Sequence, residues 1–439
     1  MKRIGKAALT LLAFLALFAF GFGWRDVQQG KLPSVEAFGR LLGLAPSAAF
    51  SESSSKVFRQ AFQTIRDGYY KPVDSSDLKY AGLAGMMAAL GDPHTQFLEP
   101  RATKEFLLET RARFAGVGAR LSRDPLGARV ESIFPKGPAE RAGLRREDLI
   151  TGVNGKSVVG KEIDDIVKDI RGKEGTLVTL QVMRSGVEKP LTIRIRREQV
   201  VAPTVESKML PGSSFGYVAV TLFSEPTGEQ FADELRQLER RGMRGLVVDL
   251  RGNPGGLLES AADVLSLFVE DKVVVKMRGR DGNEEVVKTA KGAARAKRLP
   301  VAILINKESA SAAEIFAGVM RDYRMATLVG EHTYGKASVQ NVIPMIDGAS
   351  AKITVAKYFL PSGQDISRKV DEDGQYLSGG IEPDVEAPFD FDEEFVLGNP
   401  ERDFQLSKAV EVLMGKLGSV LAVPSPTEAF EKASRALDA

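Results

Sequence analysis

Apolar residues recur along this chain at several spacings, and each spacing predicts a different kind of element. Val57, Phe58, Ala61, Phe62 and Ile65 share one helical face, and Leu78, Leu83, Met86, Met87 and Leu90 share another, so residues 51 to 111 read as a helical region. Gly91-Asp92-Pro93 stops the second stripe, because neither glycine nor proline continues a helix well. From 112 to 198 the texture changes to short β-like runs between Gly/Asn turns, with one amphipathic helix marked by Ile163, Ile166, Val167 and Ile170. From 199 to 392 strands and helices alternate: strand 217–223, helix 227–241, strand 246–250, helix 257–268, strand 301–305 and helix 311–321. Such alternation predicts an α/β fold, since crossover helices must cover the sheet faces. Residues 393 to 439 read as mostly helical, with a break at Pro424-Ser425-Pro426.

The N-terminus carries its own pattern. Lys2, Arg3 and Lys6 precede a run from 7 to 24 without a charged residue, the layout of a secretory signal. Its 18 residues also suffice for a short membrane span. No Ala-x-Ala site follows directly, which favours an uncleaved anchor with its positive end in the cytoplasm; cleavage and release is the alternative. Residues 25 to 50 then form a linker, and the bulk of the chain is expected outside the cytoplasmic membrane, in the cell envelope.

Composition narrows the chemistry. A length of 439 residues holds two to three domains. A net charge of +2 gives no electrostatic reason to expect a nucleic-acid partner. Cysteine is absent, and the two histidines, His94 and His332, belong to no zinc motif, so no metal and no cofactor is expected.

Two short stretches carry the candidate chemistry. Ser309-Ala310-Ser311-Ala312-Ala313-Glu314 puts a hydroxyl at a strand-to-helix turn, and Thr333-Tyr334-Gly335-Lys336-Ala337-Ser338-Val339-Gln340 offers a glycine-flanked lysine. A serine attacks only when a neighbouring base takes its proton. Lysine is that base only when neutral, which burial among apolar residues promotes by disfavouring the ammonium. The run 301–305 and Ile315-Phe316 supply such surroundings. At a helix start, the Ala312 N–H points towards a developing oxyanion. A second donor is expected from Gly255 or Gly256 in Arg251-Gly252-Asn253-Pro254-Gly255-Gly256, where adjacent glycines admit close backbone approach.

The same residues have plainer readings. Ser311-Ala312-Ala313-Glu314 is also a capping box, and Ser309 could cap the helix instead. Residues 330 to 336 match a phosphate-binding loop, but Ala337 stands where a magnesium-binding hydroxyl belongs, and the following residues read as strand instead of helix. His332 could serve a serine, whereas His94 reads as a capping or surface residue.

A resemblance then joins these pieces. Residues 112–198 resemble a PDZ domain through Gly116-Val117-Gly118-Ala119, Ile133-Phe134-Pro135-Lys136-Gly137-Pro138-Ala139, Ala142-Gly143-Leu144, Asp148-Leu149-Ile150 and Val153-Asn154-Gly155. Such a domain adds a peptide C-terminus as a strand at a sheet edge. Here Val117, Gly118 and Ala119 would hold the terminal carboxylate, with helix 163–170 as the other wall. With Asp249-Leu250-Arg251-Gly252-Asn253-Pro254-Gly255-Gly256 and the serine and lysine stretches, residues 50 to 390 resemble the carboxy-terminal processing (tail-specific) serine proteases. The resemblance implies Ser311 as nucleophile, Lys336 as general base, Gln340 as the residue that orients the lysine, and backbone N–H groups of Gly256 and Ala312 as oxyanion hole. It also implies a crotonase-like core, a PDZ domain that gates access, protein substrates with exposed C-termini, and homo-oligomers assembled through terminal helical regions. Asp322 falls where some members carry a sensitive aspartate. Two departures stand out: Ala337 replaces the usual glycine, and the polar stretch 365 to 380 reads as a surface insertion. The reading of another class is a PDZ scaffold on the same fold that binds tails without cutting them.

Overall fold

The computed structural model describes residues 52–388 and 398–421. Contacts divide the chain into two units, one ending at Gly85 and one starting at Met86. The first contains helix α1 (Glu52–Gly68) and most of α2 (Ser75–Ala88), which continues into the second. Asp74 caps α2 through its carboxylate, which accepts the Ser76 N–H at 2.7 Å.

The second unit opens with strand β1 (Gln96–Leu98), helix α3 (Pro100–Arg111) and strand β2 (Arg113–Gly116). A small domain follows: β3 (Ala119–Asp124), β4 (Gly127–Ile133), the one-turn helix α4 (Pro138–Arg141), β5 (Leu149–Val153), β6 (Lys156–Ser157), α5 (Ile163–Ile170), β7 (Leu177–Met183) and β8 (Leu191–Arg196). Its strands order β3-β4-β5-β7-β8, all antiparallel. Ile166 and Ile170 of α5 close the sheet over Val130, Ile150, Leu180 and Ile195. Strand β9 (Glu198–Val201) then returns antiparallel to β2, so the chain enters and leaves this domain through one two-stranded neck.

The larger body begins with β10 (Val205–Met209), β11 (Phe215–Val220), α6 (Thr227–Arg240), β12 (Gly245–Asp249), α7 (Leu258–Ser266), β13 (Val273–Gly279) and β14 (Glu284–Lys288). It continues with β15 (Val301–Ile305), α8 (Ala312–Asp322), β16 (Ala326–Gly330), β17 (Ser338–Pro344), β18 (Ser350–Phe359), the short hairpin β19 (Lys369–Val370) and β20 (Tyr376–Ser378), β21 (Val385–Glu386) and α9 (Phe404–Leu421). One sheet orders β10-β11-β12-β15-β16-β21 and is parallel from β11 onwards. A second gathers β1, β13, β14, β17 and β18.

The parallel sheet explains the unbroken apolar runs in the sequence. Every residue of β12 and β15 is buried, because helices cover both faces. Leu246, Val248, Val301, Ile303 and Ile305 face Phe231, Val264 and Phe316 of α6, α7 and α8. The alternate positions, Val247, Ala302 and Leu304, face Leu406, Ala409 and Leu413 of α9. Residues 393–439, set apart in the sequence as a terminal region, thus contribute α9 to the packing of the core itself.

Candidate active site

Parallel strands place their carboxyl ends on one side of a sheet, where open α/β folds build their sites. β12, β15 and β16 are neighbours, and the loops leaving them carry Gly255-Gly256, Ser311 and Lys336 respectively.

The serine loop is tied down before it reaches Ser311. Ser309 is fully buried, and its hydroxyl donates to Leu250 O at 2.8 Å while accepting the Asn306 N–H at 3.0 Å. Ser309 is therefore consumed in joining two strand ends. Ser311 takes the cap position of α8 at φ 55°, a left-handed conformation unusual outside glycine. Holding it there costs about 1–3 kcal/mol, supplied by the surrounding contacts.

The loop after β12 lies against the serine. Asn253, fully buried, donates from Nδ2 to Val220 O at 2.7 Å and accepts the Gly255 N–H on Oδ1 at 2.8 Å. Its carbonyl accepts the Ala310 N–H at 2.9 Å, which locks this loop to the serine loop. A Cβ at Gly255 would lie 2.7 Å from the Ser311 Cβ, and one at Gly256 would lie 2.0 Å from Phe223 O. Both positions therefore require glycine. Of the two candidate donors, Gly255 N–H is already taken by Asn253. Gly256 N–H and Ala312 N–H donate to no other described residue, so both are open to a ligand.

The serine loop and the lysine loop meet at Glu314, which is fully buried on α8. Its Oε2 accepts the N–H of Ser311 at 2.8 Å and the N–H of Lys336 at 2.8 Å. Its Oε1 accepts the N–H of Gly335 at 2.6 Å and the hydroxyl of Thr333 at 2.5 Å. The Thr333 hydroxyl in turn accepts the Ile381 N–H at 2.7 Å, which fixes it as a donor towards Glu314. Burial pushes the Glu314 carboxyl above its usual range, while four donors act in the opposite direction. In the sequence Glu314 is legible only as the last residue of a capping box; its grip on residues 333 to 336 requires β15 and β16 to be neighbours.

Lys336 is partly buried. Burial, and then the charge of Lys352, hold its ammonium below the ordinary lysine range, with Glu314 and Asp92 pulling the other way. No hydrogen bond joins Lys336 to Ser311 or to Gln340 among the described residues. Gln340 instead donates from Nε2 to Ser338 Oγ at 2.8 Å and to Thr354 Oγ1 at 3.2 Å. Thr354 belongs to a further network, its N–H donating to Thr95 Oγ1, which donates to Asp92.

Several plainer readings change here. The N–H groups of Gly335 and Lys336 that would cradle a phosphate are committed to Glu314, and strand β17 follows the loop, so this is not a phosphate-binding loop. His332 stacks on Tyr376 with ring centroids 4.2 Å apart, and no hydrogen bond leads from it to Ser311 among the described residues. His94 is not a surface cap. It is half-buried, 6.5 Å from the Tyr334 ring, and burial followed by the charge of Lys336 lowers its pKa. The stretch 365 to 380 is largely exposed, as a surface insertion would be, yet it is tied to the site. The Arg368 N–H donates to Gly335 O at 2.8 Å, and Tyr376 covers His332, so this segment walls the lysine loop. Asp322 lies apart, accepting the Ser362 N–H at 2.9 Å. No cluster of metal-binding side chains occurs among the described residues.

A second concave surface lies between β3 and α5 in the small domain. A groove of about 240 Å³ is lined by Phe114, Val117, Gly118, Ala119, Ile170 and Arg171, among others. The N–H groups of Val117 and Gly118 donate to no described residue, whereas their carbonyls are held by Ala139 and Phe134. Gly118 sits at φ 78°. Arg171 rests over the Phe114 ring at 4.8 Å, at the groove's edge.

Behind the glycine loop lies a buried ion cluster. Arg251 pairs with Asp249 at 2.6 Å and with Asp403 at 2.7 Å, all three side chains at most 4% exposed. Burial opposes the guanidinium charge, but the two carboxylates more than offset this and hold its pKa above the usual value. Asp403 and Gln405, at the start of α9, thereby brace the loop that carries Gly256.

Comparison with known proteins agrees with this layout. Residues 214–387 match the family model for peptidase family S41, and 129–184 match a PDZ domain model. The carboxy-terminal processing protease CtpB of Bacillus subtilis is 36% identical over 85% of this chain and 77% of its own length. A protein described as "Probable CtpA-like serine protease" in Staphylococcus aureus is 37% identical over 76% of this chain and 65% of its own. A solved structure described as "Putative S41 protease" from Bacteroides fragilis shares the fold, with a TM-score of 0.52 at 18% identity, covering 84% of this chain and 99% of that one.

Glu314→Gln puts an amide donor where four donors converge. It is expected to lower stability by about 1–3 kcal/mol, read as a lower urea midpoint, and to lower kcat together with it. An unchanged midpoint with full activity would show that the shared carboxylate is dispensable.

Proposed function

The chain belongs to the carboxy-terminal processing proteases of peptidase family S41, and on that premise we propose a Ser311/Lys336 dyad as its chemistry and the PDZ groove as the receptor for the substrate's tail. The observation that carries the dyad is the shared carboxylate. One oxygen of Glu314 holds the main chains of both residues, beside two open N–H groups on Gly256 and Ala312. A scaffold that only binds tails has no use for a strained serine, a desolvated lysine and two unpaired donors in one place.

In the proposed reaction, Ser311 Oγ attacks the scissile carbonyl while neutral Lys336 takes its proton. The oxyanion forms between the N–H groups of Gly256 and Ala312, which need no rearrangement to receive it. Lys336 then gives the proton to the leaving amine, and a water deprotonated by Lys336 hydrolyses the acyl-enzyme. Gln340 orients the lysine once its amide leaves Ser338 and Thr354, and the Lys336 side chain turns to reach Ser311. Catalytic hydrogen bonds commonly tighten only when substrate is bound.

The tail reading rests on the open N–H groups of Val117 and Gly118, with Ala119 beginning the strand that an incoming peptide would extend. The apolar lining suits an apolar terminal side chain. PDZ displacement about the β2–β9 neck would gate access to a crotonase-like core, and the helical termini would assemble copies of the chain. We further propose that residues 7–24, outside the described residues, anchor the protein with its body outside the cytoplasm. Among the described residues no helix is long and apolar enough to cross a membrane.

Ser311→Ala and Lys336→Ala should each lower kcat on a tailed, unstructured peptide by on the order of 10⁴-fold or more, while His332→Ala stays active. For the native enzyme kcat/KM should rise with pH as Lys336 loses its proton, with a midpoint below the ordinary lysine value of 10.5. A pH profile that rises only above that value would count against the dyad. Amidating the substrate's C-terminus removes a charged hydrogen-bond acceptor worth about 1.5–3 kcal/mol, so KM should rise roughly 10- to 100-fold with kcat little changed. Equal KM for both peptides would end the tail-capture reading. Full-length protein should sediment with membranes, and protein lacking residues 1–24 should not; the opposite partition would refute the anchor.

A further inference from the structure

We propose that Tyr358, through its hydroxyl, is a positioning residue for the reaction, holding the carbonyl side of the two loops whose N–H side is held by Glu314. The inference rests on the Ser311/Lys336 reading and goes beyond it by naming what sets the distance between those residues.

Tyr358 lies near the end of β18, 1% exposed. Its main-chain N–H donates to Ala337 O at 2.9 Å, and its hydroxyl donates to Lys336 O at 2.6 Å. The same hydroxyl lies 3.4 Å from Ser311 O, which itself accepts the Ile315 N–H at 2.9 Å. One residue therefore grips two successive carbonyls of the lysine loop and touches the carbonyl of the serine.

Taken with Glu314, this leaves little freedom. Lys336 has its N–H on the Glu314 carboxylate and its C=O on the Tyr358 hydroxyl. Ser311 has its N–H on that same carboxylate and its C=O within reach of that same hydroxyl. The Lys336 main chain is clamped from two sides by two buried side chains, and the Ser311 main chain is held by one of them and lies against the other. Side chains grow from those main chains, so the clamp limits where Oγ and Nζ can meet. A displacement of about 1 Å between reacting groups can cost on the order of 100-fold in rate.

The hydroxyl suits this role across the pH range in which a lysine acts as base. Both of its partners are carbonyls, which only accept, so it must donate and must stay protonated. Burial, and then the charges of Glu314 and Asp365, push the phenol pKa well above its usual value. A tyrosine serving only as strand packing would have no need to send its hydroxyl to carbonyls of two catalytic loops.

The test is Tyr358→Phe, which keeps the buried ring and removes one oxygen. Native enzyme, Tyr358→Phe and Ser311→Ala are compared on one tailed, unstructured peptide across pH, with urea unfolding in parallel. Expected for Tyr358→Phe is a fall in kcat of roughly 10- to 100-fold with KM within about twofold. A loosened lysine loop is better hydrated, so the Lys336 pKa moves back up. The acid limb of the kcat profile should then shift to higher pH, and activity should partly recover there. A purely structural role would leave that profile in place, so a lower kcat with an unmoved profile overturns the proposal. So does unchanged kcat, and so does a Tyr358→Phe protein that fails to fold. Ser311→Ala separates the two levels: if it cuts normally, the dyad itself is wrong; if it is inactive while Tyr358→Phe matches native enzyme, only the role of Tyr358 fails.

Discussion

The carboxylate of Glu314 is the interaction on which the arrangement of the site depends. A carboxylate stripped of water is costly unless its oxygens are satisfied, and here both are, each by two donors. Three of those donors are main-chain N–H groups and the fourth is an oriented threonine hydroxyl. Removing either loop would leave the charge short of partners in a dry interior, so the serine loop and the lysine loop are stable chiefly as a pair. The same contact helps to hold Ser311 at its left-handed φ, since the N–H that accompanies that conformation is the one bonded to Glu314.

The third loop is fixed by different means. Asn253 ties the glycine loop to β11 through its amide, to itself through Gly255, and to the serine loop through its carbonyl. These contacts use up the Gly255 N–H and leave that of Gly256 free. Two glycines are needed because one presses on Ser311 and the other on Phe223, not because the loop is loose. Parallel pairing of β12 with β15 and of β15 with β16 is what brings the three loops within reach of one another.

Much of this was legible in the amino-acid pattern, and the limits have a physical basis. Buried parallel strands announce themselves as apolar runs, and a small hydroxyl residue between strand and helix announces a turn, so β12, β15, α8 and Ser311 follow from local features. Paired glycines likewise mark a close approach, although local pattern leaves open which of the two N–H groups stays free; that depends on where Asn253 points. What escapes are roles created by juxtaposition. Glu314 reads as a cap because its nearest partner in sequence is Ser311, while residues 333 to 336 reach it only through strand pairing. His94 and Thr354 are separated by hundreds of positions, and the short network of Asp92 and Thr95 that joins their surroundings has no signature of its own. The segment 365 to 380 is polar enough to suggest a solvent loop, yet its backbone and its tyrosine close one side of the lysine loop. Gln340 is assigned to the lysine by the family resemblance alone, and in this arrangement its amide serves Ser338 and Thr354.

The pairing of Arg251 with Asp403 has a consequence for the order in which the molecule is made. The guanidinium stands directly beside the glycine loop, and its second aspartate lies 152 positions further along the chain. During translation every other loop of the centre emerges before that aspartate does, and α9, which seals the far face of the sheet, comes later still. A nascent chain therefore carries Ser311 and Lys336 out of the ribosome before the second aspartate that braces the glycine loop is made. The surroundings of the glycine loop are thus set partly by a residue remote from it in sequence, and a chain interrupted before Asp403 would hold Arg251 by one aspartate instead of two.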